Sequence, residues 1–517
     1  MRASHVTLAA AFGFLVVCGV LPLIAMLIAS VTIDGRINWS AYGGLITSDR
    51  NATLLWNSLF LGVFTAAGAF AFGVPLGIMF GRTDLHLRYL FAVVFTIPLA
   101  IPPYVSAVAW SDILGRDVVS GLAGCVLVLV PALTPVVLLS TMSIVRGVDP
   151  VLEEAARLTC SWSEVLRRIT LPLIMRGIVF AVALVFLLAI GEFGVPSFLR
   201  YDVFPVESFT QFAAFLDFRA ATASAVPLIV FAVLILSFEF VLVRDVPALV
   251  RVTGRKPLVI PLGRFKHLVG AVIVLLSIVL VFLPLWTLAR QAAWGSALSR
   301  ALPLASGSIV RSMTYAAVGA TVLAAMGLLL GYLVDRRALS FWRAVDWTAI
   351  TLFAMPSTVL GIGLIALWNQ PLPLSVYGTP AMIILGYVAQ YTALTSRLTA
   401  SVLSQIPVSL EDSARVAGAS WSRRMLLIIV PLCGRGLMVS WLAAYVFCLR
   451  DLGISALVYP PGGDTLPVRT FTLMANGPPE IVASLCLVTV VMTVVPLAIA
   501  ATVLVTKPEG GLRDSTI

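Results

Sequence analysis

The chain has 517 residues, of which 60% are hydrophobic and 11% charged, and its mean hydropathy is +1.04. Soluble domains carry about 25% charged residues, so this composition excludes an ordinary soluble protein and points to the membrane. The net charge of +10 then reads as a matter of membrane topology before it reads as nucleic-acid binding.

Apolar runs of about 20 residues, the length that spans hydrocarbon as a helix, recur along the whole chain. Helices are expected because every backbone polar group must be satisfied inside lipid. The first run, 6–31, is longer than the apolar region of a cleavable signal and reads as a retained anchor. Further spans are expected near 54–81, 89–110, 122–145, 173–191 and 221–243. A basic connector, 244–267, separates them from spans near 268–289, 312–334, 345–368, 380–403, 432–450 and 481–506. A tail, 507–517, follows. The expectation is an all-α polytopic membrane protein with about twelve transmembrane helices, six in 1–243 and six in 268–506.

Lys and Arg orient the chain. With the N-terminus inside, 24 of the 34 fall in inside segments, which places both termini in the cytoplasm. The three histidines (His5, His86 and His267) sit near those inside ends. The six cysteines form no CxxC and no metal spacing, and read as small buried hydrophobes. No metal site is expected.

Two charged islands interrupt the apolar pattern. Residues 148–173 read VDPVLEEAARLTCSWSEVLRRITLPL, and 408–432 read VSLEDSARVAGASWSRRMLLIIVPL. Ser161-Trp162, Ile169 and Pro172 fall on Ser420-Trp421, Ile428 and Pro431 at a shift of 259. After a one-residue gap, Glu154-Ala155-Ala156-Arg157 falls on Asp412-Ser413-Ala414-Arg415, and Cys160 on Gly418. Each island follows the fourth span of its half and reads as a short helix, a turn and a second helix entering the bilayer at the proline. The duplication extends outward. Gly77, Arg82 and Pro102 match Gly331, Arg336 and Pro356 at a shift of 254, and Pro205 to Thr210 resembles Pro467 to Thr472. Six spans per half give both copies the same orientation, as parallel repeats about an axis along the membrane normal.

The islands resemble the EAA loop of ABC importer permeases, E-A-A, three residues, Gly, nine residues, I-x-L-P. Asp412, Ala414, Gly418, Ile428 and Pro431 keep the spacing. The first copy keeps Glu154, Ala155, Ala156 and Pro172 but is one residue short and has Cys160 near the Gly position. The segments GEFGVP from Gly191 and YPPGGDTLPVRTF from Tyr459 look most like the ferric-iron and thiamine branch of fused permeases. The resemblance implies a type I importer fold, two copies of an ABC ATPase on the cytoplasmic side and an extracytoplasmic solute-binding protein. It also implies ATP-driven tipping between inward- and outward-facing states. No GxxxxGK[ST] occurs, so ATP and Mg are expected on a separate ATPase and no cofactor or catalytic residue on this chain. Ferric iron is the first cargo to consider, then thiamine, a polyamine or an organophosphonate.

Glu154 and Asp412 lie early in their short helices, where each either caps its own helix or pairs with a basic group of the partner. Trp162 and Trp421 are expected to pack each loop against its own bundle. Glu192 and Asp451 end corresponding spans and, with Tyr104, Pro102 and Pro356, are candidates for a translocation path or outer gate. The prolines also predict kinks in the third and ninth spans. The rival readings are an ion-driven secondary transporter with six plus six spans and a non-transporting membrane scaffold. Neither calls for a repeated docking loop.

Overall fold

A computed structural model describes residues 2–33, 36–39, 41–43, 48–243, 258–370 and 376–506. The first part of the expected connector, 244–257, and the tail, 507–517, lie outside the described residues. Helices make up nearly all of the structure. Among the described residues the one sheet is a two-stranded hairpin, Thr32–Ile33 with Arg36–Ile37.

Among the described residues, nine helices are long and apolar enough to cross a membrane, or eleven if two sharply bent pairs each count as a span. The expectation was twelve. The difference is the tenth, 380–403, which forms the helix Ala381–Leu403 but falls short in hydropathy. This helix buries Gln390, Thr392, Thr395, Ser396 and Thr399. A helix surrounded by protein need not be as apolar as one that faces lipid. The hydroxyls of Thr392, Thr395 and Ser396 turn back on the helix's own carbonyls, as Thr392 Oγ1 does to Val388 O at 2.6 Å.

Proline positions shape the spans. Four π turns, Val16–Val20, Leu166–Thr170, Ile278–Phe282 and Met425–Ile429, each end two residues before a proline: Pro22, Pro172, Pro284 and Pro431. A proline ring clashes with the carbonyl four residues back. Widening the preceding turn keeps the chain helical, with Leu171 N–H donating to Leu166 O and Val430 N–H to Met425 O.

The third and ninth spans do not kink; they fold over. Arg88–Ala100 and Pro103–Leu114 meet at 97°, and Trp342–Ala354 and Ser357–Trp368 at 108°. The residues before the prolines, Ile101 and Met355, are extended (ψ 132° and 140°), as a following proline demands. Gln390 Nε2 donates to Phe353 O (3.1 Å) and Met355 O (3.0 Å), satisfying carbonyls that the second break releases.

The same contacts recur in each half. Asp49–Arg82 packs on Gly121–Arg146 and Leu171–Ile190, and Ala297–Asp335 packs on Ala381–Leu403 and Val430–Arg450. The first span of each half crosses to the other half's bent pair. Leu21–Val31 packs on Ser357–Trp368, and Leu283–Ala292 on Pro103–Leu114. Close approach rests on glycine. A Cβ at Gly77 would stand 2.6 Å from Thr141 Cβ and 2.8 Å from Leu138 O, and one at Gly331 would stand 2.7 Å from Ser396 O. Gly77→Val and Gly331→Val should therefore each destabilise the purified protein by about 1–3 kcal/mol through overpacking. Gly434→Ala, with nothing within 4 Å of its Cβ position, should not. Thermal unfolding in detergent reads the contrast, and equal melting of all three variants would contradict it.

Candidate functional site

The two charged islands fold alike. In the first, Asp149 accepts from Val151 N–H (3.0 Å) and starts the helix Pro150–Arg157, with proline at its first position. Ser161 then starts Trp162–Val165 in a capping box with Glu164, whose carboxylate accepts from Ser161 N–H at 2.8 Å. In the second, Val408–Val416 is followed by Trp421–Arg424, capped by Ser420. The turns between them differ. Gly418 has φ +83°, a left-handed position that favours glycine. In the first loop neither Thr159 nor Cys160 adopts positive φ. The shorter turn closes by Cys160 N–H to Ala156 O (2.8 Å) and Arg157 Nη1 to Cys160 O (2.6 Å). Cys160 does not take the glycine's conformation there.

Glu154 and Asp412 both project into solvent. The cap of the first helix is Asp149, which corrects the expectation that Glu154 could serve there. Asp412 makes an exposed pair with Arg415 at 3.5 Å. Ala155 is exposed, and Ala156, Cys160 and Ala414 are half-buried. Trp162 lies under the guanidinium of Arg157 (4.8 Å), within its own loop, whereas Trp421 meets Tyr332 of the bundle edge-on at 6.2 Å.

The buried acids are their neighbours. Glu153 is 3% exposed and pairs at 3.0 Å with Arg82, itself 1% exposed at the end of the second span. Glu153 Oε1 also accepts from Thr170 Oγ1 (2.8 Å), and Arg82 donates to Val145 O (2.7 Å) and Val148 O (3.3 Å). In the second half Glu411, also 3% exposed, pairs with Arg336 at 2.9 Å and accepts from Tyr332 at 2.9 Å. Arg336 donates to Ile406 O (3.0 Å), the counterpart of Val148. Sequence reading matched Arg82 with Arg336 but assigned them no partner. The first acid of the Glu153-Glu154 and Glu411-Asp412 doublets was the available signal.

Where the halves meet, a cavity of about 120 Å³ is lined by Tyr104, Glu192, Pro356, Tyr391, Arg450 and Asp451, among others. It brings together four of the five path candidates. The fifth, Pro102, is buried at the bend while Pro103 reaches the lining. Both acids cap the short helices after their spans. Glu192 Oε1 accepts from Gly194 N–H (3.1 Å), and Asp451 accepts from Ser455 N–H (2.9 Å), Ser455 Oγ (2.8 Å) and Tyr391 OH (3.2 Å). Arg450 donates to Leu99 O and lies over the ring of Phe447. It forms no direct ion pair with either acid among the described residues. Gln390 and Tyr391 were missed from sequence; their signal was polar and aromatic groups inside an apolar run. Among the described residues no three His, Cys, Asp or Glu come together as a metal site.

Residues 73–251 match the family described as binding-protein-dependent transport system inner membrane component. A protein of Haemophilus influenzae named as a ferric transport system permease is 22% identical over 473 residues, covering 83% of this chain and 73% of its own length. The ferric transport system permease protein of Actinobacillus pleuropneumoniae is 22% identical over 462 residues, covering 81% of this chain and 66% of its own. A protein of Salmonella typhimurium named as a 2-aminoethylphosphonate transport system permease is 29% identical over 140 residues, covering 27% of this chain and 52% of its own. The fused two-part resemblance read from the repeated loops agrees with the length of the first two matches.

Truncating one partner of a buried ion pair strands the other. Glu153→Ala and Glu411→Ala should each cost about 3–5 kcal/mol. Glu154→Ala and Asp412→Ala, on exposed side chains, should shift stability by under about 0.5 kcal/mol. Melting of the four variants in detergent checks the pairing, and indistinguishable melting within either doublet would refute it.

Proposed function

We propose that this chain, an ABC-type permease of binding-protein-dependent transport in the inner membrane, forms the translocation path of an ATP-driven importer of ferric iron. Counting Ala381–Leu403 as a span enclosed by protein gives twelve spans, in two parallel halves related by a pseudo-two-fold axis, with both termini cytoplasmic. Two copies of an ATPase subunit, which carry the ATP and Mg, dock on 150–165 and 408–424. There Glu154, Ala155, Ala156, Cys160 and Trp162 in one loop, and Asp412, Ala414, Gly418 and Trp421 in the other, form the contact. A solute-binding protein delivers cargo to the loops 192–220 and 453–480.

The observation that carries this reading is the duplicated loop, held in each half by a buried glutamate paired with an arginine at the end of a long span. A solvent-facing acid beside a buried, tethered acid suits a lever. One carboxylate is free to meet a partner while its neighbour anchors the helix to the bundle. Ferric iron is favoured by the names of the relatives that cover most of the chain. Arg450 in the lining of the central cavity favours a second cargo, an organophosphonate anion.

The test is uptake into vesicles reconstituted with the cognate ATPase and binding protein, comparing ferric iron, 2-aminoethylphosphonate, putrescine and thiamine. Ferric iron should accumulate with ATP. Glu154→Arg and Asp412→Arg should lower uptake by about tenfold or more, because an unfavourable charge at an interface costs several kcal/mol. Uptake that persists without ATP and follows an ion gradient would establish a secondary transporter instead. Accumulation of another of the four solutes would reassign the cargo.

A further inference from the structure

The two buried ion pairs are alike, but their surroundings differ. Arg336 borders a cavity of about 640 Å³, shared with His5, Asp335, Trp421 and Arg424. Arg82 is instead enclosed by chain that leads to the other half. Its Nη1 donates to Leu258 O (3.3 Å), and its own carbonyl accepts from Ile260 N–H (2.7 Å). Thr83 and Ile260 form a parallel bridge, and Asp84 N–H donates to Ile260 O (3.3 Å). The Asp84 carboxylate accepts from Leu262 N–H (3.0 Å) and pairs with Lys266 Nζ (3.1 Å). Those two donors hold its carboxyl below the usual carboxylate range. Lys266 is the first residue of Lys266–Ser277, which opens the first span of the second half.

One guanidinium thus holds three things at once: Glu153 of the first loop, the carbonyls of Val145 and Val148 that lead into it, and Leu258 of the segment between the halves. Such a buried polar network is costly to break in part, so its members move together. In the second half, Arg336 reaches Glu411, Ile406 and Asp335, all within that half.

We propose that Arg82 and Asp84 form a mechanical junction that passes displacement of the first docking loop to residues 258–266, and so to the first span of the second half. Arg336 ties the second loop to its own half, with no counterpart of the 258–266 strap among its described partners. In a fused permease the segment between the halves is then a working strap, and the first loop drives both bundles. Both residues are positioning residues, with no contact to cargo. The inference rests on reading 150–165 as a docking loop.

Asp84→Ala tests it on a partly exposed side chain whose loss leaves the packing of Asp49–Arg82 intact. The sample is the full chain reconstituted with its ATPase and binding protein, and the readout is cargo moved per ATP hydrolysed. Asp84→Ala should keep stimulated hydrolysis within about twofold of wild type while cargo per ATP falls about tenfold, the range of a typical coupling term. Asp84→Glu, which keeps an acceptor for Leu262 and Lys266, should recover much of the loss. The paired variant Arg82→Met with Glu153→Met removes the buried charges together, a change usually tolerated in folding, and should uncouple in the same way. Wild-type cargo per ATP in both Asp84→Ala and the paired variant would overturn the junction. So would a parallel fall of hydrolysis, uptake and melting temperature, because a mere staple does that. A wild type with no ATP-driven uptake would instead remove the docking reading beneath it.

Discussion

A guanidinium buried at the end of a membrane helix has few tolerable surroundings. It cannot release its proton at ordinary pH, and an unpaired charge in low dielectric is heavily penalised. Arg82 and Arg336 resolve this in the same way, with a glutamate from the short loop helix and carbonyls from the chain that leads into it. Because the pairing is obligatory, each loop helix is tied to the foot of the longest helix in its half. That tie keeps Glu154 and Asp412 facing outward and gives each loop a defined lever arm.

The second constraint is that of every lipid-embedded backbone: no polar group can be left to hydrocarbon. The chain contains many prolines within its apolar runs; several sit inside unbroken helices, and at six others the backbone changes in one of two ways. At Pro22, Pro172, Pro284 and Pro431 one turn widens and the helix continues. At Pro102 and Pro356 the helix breaks and folds by about a right angle, where Gln390 and the neighbouring half cover the freed carbonyls. Those two breaks, with the ends of two further spans, enclose the central cavity. The site is therefore where backbone irregularity is concentrated, as expected when unwound backbone must line a cavity rather than face lipid.

Much of this was legible in the sequence. Span positions followed from apolar runs, and the duplicated loops followed from a pattern that recurs with proline and tryptophan in step. Three things were not. The polar groups buried along 380–403 were not singled out, because sequence alone does not reveal that protein surrounds this span. The bends at Pro102 and Pro356 looked like kinks, because the angle depends on what packs into the break. The anchoring acids Glu153 and Glu411 were not singled out beside Glu154 and Asp412, because the members of each doublet differ only in which face of a short helix meets the arginine. Each failure concerns a long-range contact, and hydrophobic periodicity carries no information about those.

The cavity also bears on where selectivity can reside. Glu192 and Asp451 are already engaged as helix caps, Arg450 is held by the Leu99 carbonyl, and Tyr391 donates to Asp451. A site whose charged groups are already engaged by backbone and hydroxyl partners has little left for a cargo beyond Gln390 Oε1 and Tyr104 OH, which are buried without a hydrogen-bond partner among the described residues. Such a lining holds a passing ion weakly, and conduction needs binding favourable enough to enter yet weak enough to leave. If the path opened, the same caps would have to move with their spans, because the short helices begin within three residues of the acids. Cargo choice on the proposed reading therefore belongs chiefly to the protein that delivers it. The sequence of this chain is shaped more by the demand that two halves open together than by the identity of what passes between them.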